Sequence, residues 1–175
     1  DSVSVSAAGV FDNKNVGTNK VVTLTSSYSG TDKDNYSITN QATTTADITA
    51  KTVSLSALKE YDGDATLTGN EVTITTGVNS ETLTYSGATA SNANVATADK
   101  YISAITLVDA TDSSGGLASN YQLPTLDKDN AAVEITAKAL TATLSAQTKE
   151  YDGNTDATID VADYGLSGFV LSEGA

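Results

Sequence analysis

The 175-residue sequence predicts an all-β chain built from tandem units. Three observations carry that expectation: apolar and small polar residues alternate with a period of two, turn formers punctuate the alternating stretches, and several motifs recur in the same order along the chain. The alternation runs through Val3/Val5, Val53/Leu55/Ala57, Val72/Ile74, Leu83/Tyr85, Ile102/Ala104, Val133/Ile135/Ala137, Leu140/Ala142/Leu144 and Ile159/Val161. The residues between are mostly Thr and Ser, which suit the solvent face of a half-buried pleated strand. Asp62-Gly63, Gly69-Asn70, Ser86-Gly87, Ser114-Gly115-Gly116, Asp152-Gly153 and Gly165 to Gly168 supply the turns. No stretch holds an apolar stripe at helical spacing, so no long helix is expected. Only the composition of Ala88 to Ala98 admits a helical turn.

The repeat sets the domain expectation. Ile48-Thr49-Ala50-Lys51 returns 87 positions later as Ile135-Thr136-Ala137-Lys138, and Lys59-Glu60-Tyr61-Asp62-Gly63 returns 90 positions later as Lys149-Glu150-Tyr151-Asp152-Gly153. Asn35-Tyr36 and Asn120-Tyr121 precede the first of these landmarks in each copy, and Asn15-Val16-Gly17 with Lys20 corresponds to Asn94-Val95-Ala96 with Lys100. In this register residues 1–51 are the later part of one unit, 52–137 a complete unit and 138–175 the opening of a third. A boundary near Asn79 and Ser80 is the alternative, giving two units. Units of this length made of short strands point to immunoglobulin-like β-sandwiches, with a mixed β-grasp unit as the alternative. No Gly or Pro separates Lys51 from Thr52-Val53-Ser54-Leu55, or Lys138 from Ala139-Leu140-Thr141-Ala142. The units are therefore expected to follow one another without a floppy linker, as an elongated rod.

Composition bounds the chemistry. Cys, His, Met, Trp and Arg are absent, which removes thiol and Ser-His-Asp catalysis, His or Cys metal sites and Arg clamps on phosphate. The net charge of −13 opposes the phosphate backbone of nucleic acid and anionic membrane surfaces. No apolar run is long enough to insert in a bilayer, and Asp1-Ser2-Val3-Ser4 has neither the basic nor the apolar region of a leader, so any export signal is expected outside these residues. No enzyme is expected.

The most distinctive motif is Lys-Glu-Tyr-Asp-Gly. Its Asp-Gly step supplies a turn with positive φ, and its Tyr can lay a ring on the core with the hydroxyl at the rim, so Tyr61, Asp62, Gly63, Tyr151, Asp152 and Gly153 read as structural. A catalytic Tyr-Asp pair would need a base, nucleophile or metal that the motif does not contain. Asp32-Lys33-Asp34-Asn35 and Asp127-Lys128-Asp129-Asn130 place carboxylates at alternate positions, as calcium prefers. Asp32, Asp34, Asp127 and Asp129 are thus candidate calcium ligands beside their plain reading as solvated loop carboxylates. No other cofactor is implied. Lys51 with Asn35, and Lys138 with Asn120, are candidates for an amide crosslink that would lower the intact mass by one ammonia per bond.

The paired Lys-Glu-Tyr-Asp-Gly motifs, the segment Phe11 to Lys20, Asn35-Tyr36 with its counterpart Asn120-Tyr121, and the closing Ile48-Thr49-Ala50-Lys51 resemble the YDG repeat of large secreted bacterial haemagglutinin-like and adhesin-like exoproteins. The resemblance implies an extracellular, secreted or cell-surface module without catalytic activity, building the stalk of an adhesin or another surface fibre. Its implied partners are neighbouring copies of the same repeat, with the host or surface ligand of the parent protein left open. Two other readings stand beside it: a filament subunit joined head to tail by β-strand complementation, and a module that binds glycan or host protein through its loops.

Overall fold

The computed structural model describes residues 1–170 and Glu173. It is all-β, with no α-helix among the described residues. In chain order the strands are β1 (Ser4–Phe11), β2 (Gly17–Ser29), β3 (Thr43–Ile48), β4 (Lys51–Thr52), β5 (Ser54–Glu60), β6 (Val72–Thr75), β7 (Thr84–Ala90), β8 (Ile102–Val108), β9 (Tyr121–Gln122), β10 (Ala131–Thr136), β11 (Thr141–Leu144) and β12 (Tyr164–Ser167). The segment Ala88 to Ala98 holds no helix: Ala88 and Ala90 end strand β7 with their side chains buried, and the rest is loop. Alternation with Thr89 settles that competition, because a two-residue period buries both alanines on one face of a strand.

The chain divides into two compact units, each assembled from separated segments. One comprises Asp1–Val53, Thr76–Thr84 and Leu107–Leu123. Its main sheet has the order β1-β2-β3, antiparallel throughout, with Val10 opposite Thr23 and Val22 opposite Thr44. In the same unit β4 and β9 pair in parallel, Lys51 opposite Tyr121. The other unit comprises Ser54–Thr75, Tyr85–Thr106 and Pro124–Ala175, and its sheet has the order β10-β5-β6. There β5 runs parallel to β10, from Leu55 opposite Ala131 to Glu60 opposite Thr136, and antiparallel to β6. β7 and β8 pair with each other, as do β11 and β12. Period two reports which face of a strand is buried and nothing about its neighbour's direction, so the parallel pairs had no signature in the pattern.

The core of the second unit follows the alternation closely. Leu55, Ala57 and Lys59 of β5 face inward, as do Ala131, Val133 and Ile135 of β10, while Ser54, Ser56 and Glu134 face solvent. Ile102 at the start of β8 is the largest fully enclosed side chain.

Candidate functional site

Two loops carry the Lys-Glu-Tyr-Asp-Gly motif, and each is organised around its lysine. Lys59 occupies a core-facing position of β5 and retains 4 % of its exposure, so its ammonium must find partners inside the fold. The chain turns back to provide them. The Lys59 ammonium donates to the Thr66 carbonyl and lies 3.0 Å from Asp62 Oδ2. Asp62 Oδ1 accepts from the Asp64 amide at 3.0 Å, and Asp64 Oδ1 accepts from the Thr66 amide at 2.8 Å and the Thr66 hydroxyl at 2.9 Å. Gly63, at φ +83°, makes the reversal that brings Asp62 over the lysine. Tyr61 anchors the strand end, its amide donating to the Thr136 carbonyl at 2.9 Å and its hydroxyl to Glu173 at 2.5 Å.

The second copy repeats the device with polar atoms in matching places. Lys149 lies 2.8 Å from Asp152 Oδ1 and donates to Asn154 Oδ1 at 2.6 Å, to the Asn154 carbonyl at 3.2 Å and to the Asp156 carbonyl at 2.7 Å. Asp152 Oδ1 accepts from the Asn154 amide at 3.1 Å, and Gly153 stands at φ +78°. Tyr151 differs from Tyr61, being 93 % exposed.

Asn35 and Asn120 close three-residue 3-10 turns, Lys33–Asn35 and Ala118–Asn120, whose last hydrogen bond comes from the amide of the following tyrosine. The Asn120 side chain accepts from the Val16 amide at 2.9 Å and donates to Asn15 at 3.1 Å. Buried Tyr121 donates to Glu81 Oε2 at 2.7 Å, and Lys14 pairs with Glu81 Oε1 at 2.5 Å. Tyr36, half exposed, donates instead to Asp1.

Three residues that hold loops carried little or no sequence signal. Lys20 bonds Asn13 Oδ1 at 2.6 Å and lies 3.2 Å from Asp12 Oδ1. Its counterpart Lys100 has Ser91 in place of Asp12 and turns to the backbone, donating to the carbonyls of Val95, at 3.1 Å, and Thr97. The left-handed residue of each loop is the one before the lysine, Asn19 at φ +52° and Asp99 at φ +54°. Gly17 has no positive φ, so Ala96 fits at its place without strain. Glu81 belongs to no motif.

The acidic clusters are engaged with their own surroundings. Asp32 Oδ2 accepts from the Ser2 amide at 2.6 Å, Asp34 pairs with Lys33, and Asp129 pairs with Lys128 at 2.8 Å. Asp127 Oδ1 accepts from the amides of Asp129 and Asn130 and from the Asn130 side chain. No three acidic side chains among the described residues converge as metal ligands. The Lys138 and Asn120 crosslink pair is engaged elsewhere: Lys138 lies 2.9 Å from Glu60, and Asn120 is held by Val16 and Asn15.

The carboxyls of Asp12, Asp62, Glu81 and Asp152 are held below their ordinary range. Lys149, and then the Asn154 amide, lower Asp152; Lys20 lowers Asp12; Lys14, and then the Tyr121 hydroxyl, lower Glu81. At Asp62 desolvation is the largest single influence and pushes upward, but the Lys59 hydrogen bond and the Asp64 amide together outweigh it. A carboxyl whose folded pKa is depressed contributes stability above its unfolded pKa and loses it as pH falls through the folded value. Tm should therefore drop as pH is lowered below about 4. Relief of the −13 charge acts in the opposite sense, so the scan belongs at moderate salt, which screens distant charges more than contact pairs. A Tm that rises on acidification would refute the assignment.

Residues 1–46 match the family model of the YDG domain. That stretch contains the Asp12 to Lys20 loop and the Asn35-Tyr36 turn. No curated protein and no solved structure matches the chain.

Proposed function

We propose that this chain is a load-bearing repeat of an adhesin-like bacterial surface protein, acting outside the cell as stalk or fibre and without catalysis. On this reading the units are immunoglobulin-like and follow one another as a rod, with neighbouring repeats as the principal partners. The observation that carries it is the parallel pairing of β5 with β10. Tension on the repeat enters at Ser54 and leaves at Thr136, and in a parallel pair those two points lie at opposite ends of the ladder. The hydrogen bonds between Leu55/Ala131 and Glu60/Thr136 are then loaded together in shear, rather than opened in turn. The loop that follows β5 supports the same reading, because it fixes the strand end through the bonds of the buried Lys59 ammonium to the Thr66 carbonyl and Asp62. The −13 charge and the Ser/Thr-coated strand faces suit an extended soluble surface.

Force spectroscopy tests this on single molecules. The chain has no cysteine of its own, so handles are attached through introduced ones. Handles at Ser54 and Thr136 load the ladder in shear; handles at Glu60 and Thr136 pull the same pair open from one end. The shear geometry should rupture at clearly higher force, releasing about 290 Å of chain at roughly 3.5 Å per residue. Equal forces in the two geometries would remove the load-bearing role. Equal forces together with binding to a glycan panel would favour the loop-binding module instead.

A further inference from the structure

We infer that Asn120 and Glu81 belong to a joint between successive repeats, in which the Asn-Tyr turn of one copy grips the loop Lys14-Asn15-Val16 of the copy before it. This deepens the stalk reading, and rests on it in taking the copies as successive repeats of one fibre. The first observation is where the compact units fall. In the repeat register one copy ends at Lys51 and the next begins at Thr52, yet the unit containing Asp1–Val53 also takes in Thr76–Thr84 and Leu107–Leu123, both from the next copy. A boundary near Asn79 and Ser80 leaves Asn15 and Asn120 in different copies all the same.

The second observation is which loop meets which turn. Asn13 to Lys20 and Asn92 to Lys100 are equivalent loops of two copies. Each opens with an asparagine whose Oδ1 accepts from the amide two residues on, at 3.0 Å from Asn15 and 2.8 Å from Asn94. Asn120 bonds the loop of the other copy. Its Oδ1 accepts from the Val16 amide at 2.9 Å and its Nδ2 donates to Asn15 Oδ1 at 3.1 Å. Asn94, in the loop of Asn120's own copy, bonds only within that loop among the described residues.

The following copy has its side of the joint built in advance. The Thr82 amide donates to Ser114 Oγ at 3.0 Å and its hydroxyl to Asp112 Oδ2 at 2.8 Å. A Cβ at Gly116 would lie 1.8 Å from the Thr82 carbonyl oxygen, so only glycine lets the two segments approach this closely. Ser114-Gly115-Gly116 thus ties the segment bearing Glu81 to the one bearing Asn120. Glu81, its side chain 9 % exposed, accepts from Tyr121 of its own copy and from Lys14 across the boundary. Lys14 is 71 % exposed, so that ion pair contributes little and the two bonds of Asn120 carry the grip. A cleft of about 240 Å³ opens between Val16, Ile48 and Val78, so the seat rests on directed bonds rather than on close apolar packing. Glu81 lies outside the motifs read above, but its contacts bring out a counterpart. Val78-Asn79-Ser80-Glu81 returns in the sequence as Val170-Leu171-Ser172-Glu173, and Glu173 accepts from the hydroxyl of Tyr61 in the copy before it.

Hydrogen exchange on the full chain tests this by changing one copy and reading the other. Asn15→Ala should speed exchange of the Asn120 amide, which donates to the Leu117 carbonyl at 2.9 Å, by about fivefold. Asn94→Ala, the same change in Asn120's own copy, should leave that amide unmoved. Circular dichroism confirms that each variant keeps the wild-type strand content. Under mild oxidation, Asn15→Cys combined with Asn120→Cys should close an intramolecular disulfide in about tenfold the yield of Asn94→Cys combined with Asn120→Cys. An Asn120 amide that ignores Asn15→Ala overturns the inference, as does one that responds equally to Asn94→Ala, or equal disulfide yields from the two pairs. The shear test reads the ladder between β5 and β10 and none of these bonds. A high rupture force without a selective disulfide therefore removes the joint alone, and a selective disulfide with equal forces in the two geometries removes the stalk reading and leaves the contact between copies.

Discussion

Lys59→Ala lowers the stability of the loop and strand it closes by about 3 kcal/mol, Lys59→Met by about 1–2, and Lys149→Ala by under about 1. Two effects of opposite sign decide the order. Removing the Lys59 ammonium deletes a charge-assisted bond to the Thr66 carbonyl and the pair with Asp62, each of a kind that contributes about 1.5–3 kcal/mol. The same change recovers the cost of holding an ammonium away from water, and Asp62, half exposed, returns to solvent without becoming a stranded buried charge. Methionine keeps the packed stem and feels only the difference. Alanine also loses that buried stem, at about 0.8 kcal/mol per methylene. Lys149 has a third of its side chain in water, which weakens its bonds and leaves less packing to lose. Hydrogen exchange reads the effect locally: the Leu67 amide bonds the Ala88 carbonyl at 2.9 Å and the Ala90 amide the Ala65 carbonyl at 2.7 Å, so both lose protection when the loop opens. Unchanged protection at these amides in Lys59→Ala would mean that the lysine does not hold the loop.

Much of this arrangement was legible from residue pattern, and the reasons for the rest are physical. Alternation located β5 and β10 because one face of each is buried, and Asp-Gly located the reversal because only a residue free at positive φ turns there without strain. Lys59 was visible as part of a recurring motif, but its inward direction follows from its place in the alternation after Leu55 and Ala57. Charge would have placed it outside. Glu81 was invisible. It lies in a loop, and its partners Lys14 and Tyr121 stand 67 and 40 positions away, so no local spacing could connect them. The parallel pairs were invisible for a similar reason, since strand direction depends on the path between strands and leaves no mark on the strands themselves. Each compact unit is built from separated segments because strands far apart in the chain close it. The repeat has a period, and the period does not say which strands pair across its ends.

Ile102→Ala should be the most damaging aliphatic truncation in the chain, at about 3–4 kcal/mol, against about 2 for Val22→Ala. Ile102 is completely enclosed at the start of β8, two residues beyond Lys100. Val22 stands two residues beyond Lys20 in the other copy of the same motif and keeps 7 % of its exposure. The pair therefore compares one structural position in two copies that differ in side-chain size and enclosure. Truncating isoleucine removes three carbons and valine two, and the rigid surroundings of the larger side chain add a cavity term that grows with the volume left empty. Ile102 also begins the strand that follows the buried Lys100 ammonium, whose bonds to the Val95 and Thr97 carbonyls depend on that strand holding its place. Loss of Ile102 should therefore lower protection across the loop from Ser91 to Lys100 as well as in β8, whereas Val22→Ala leaves that loop intact. Denaturation monitored by exchange at the Ser91 amide, bonded to the Tyr101 carbonyl at 2.8 Å, separates these outcomes. Losses in the ratio of the carbons removed, three to two, would show that enclosure of Ile102 adds nothing beyond its size, and unchanged protection at Ser91 would show that the lysine-closed loop stands independently of the core beneath it.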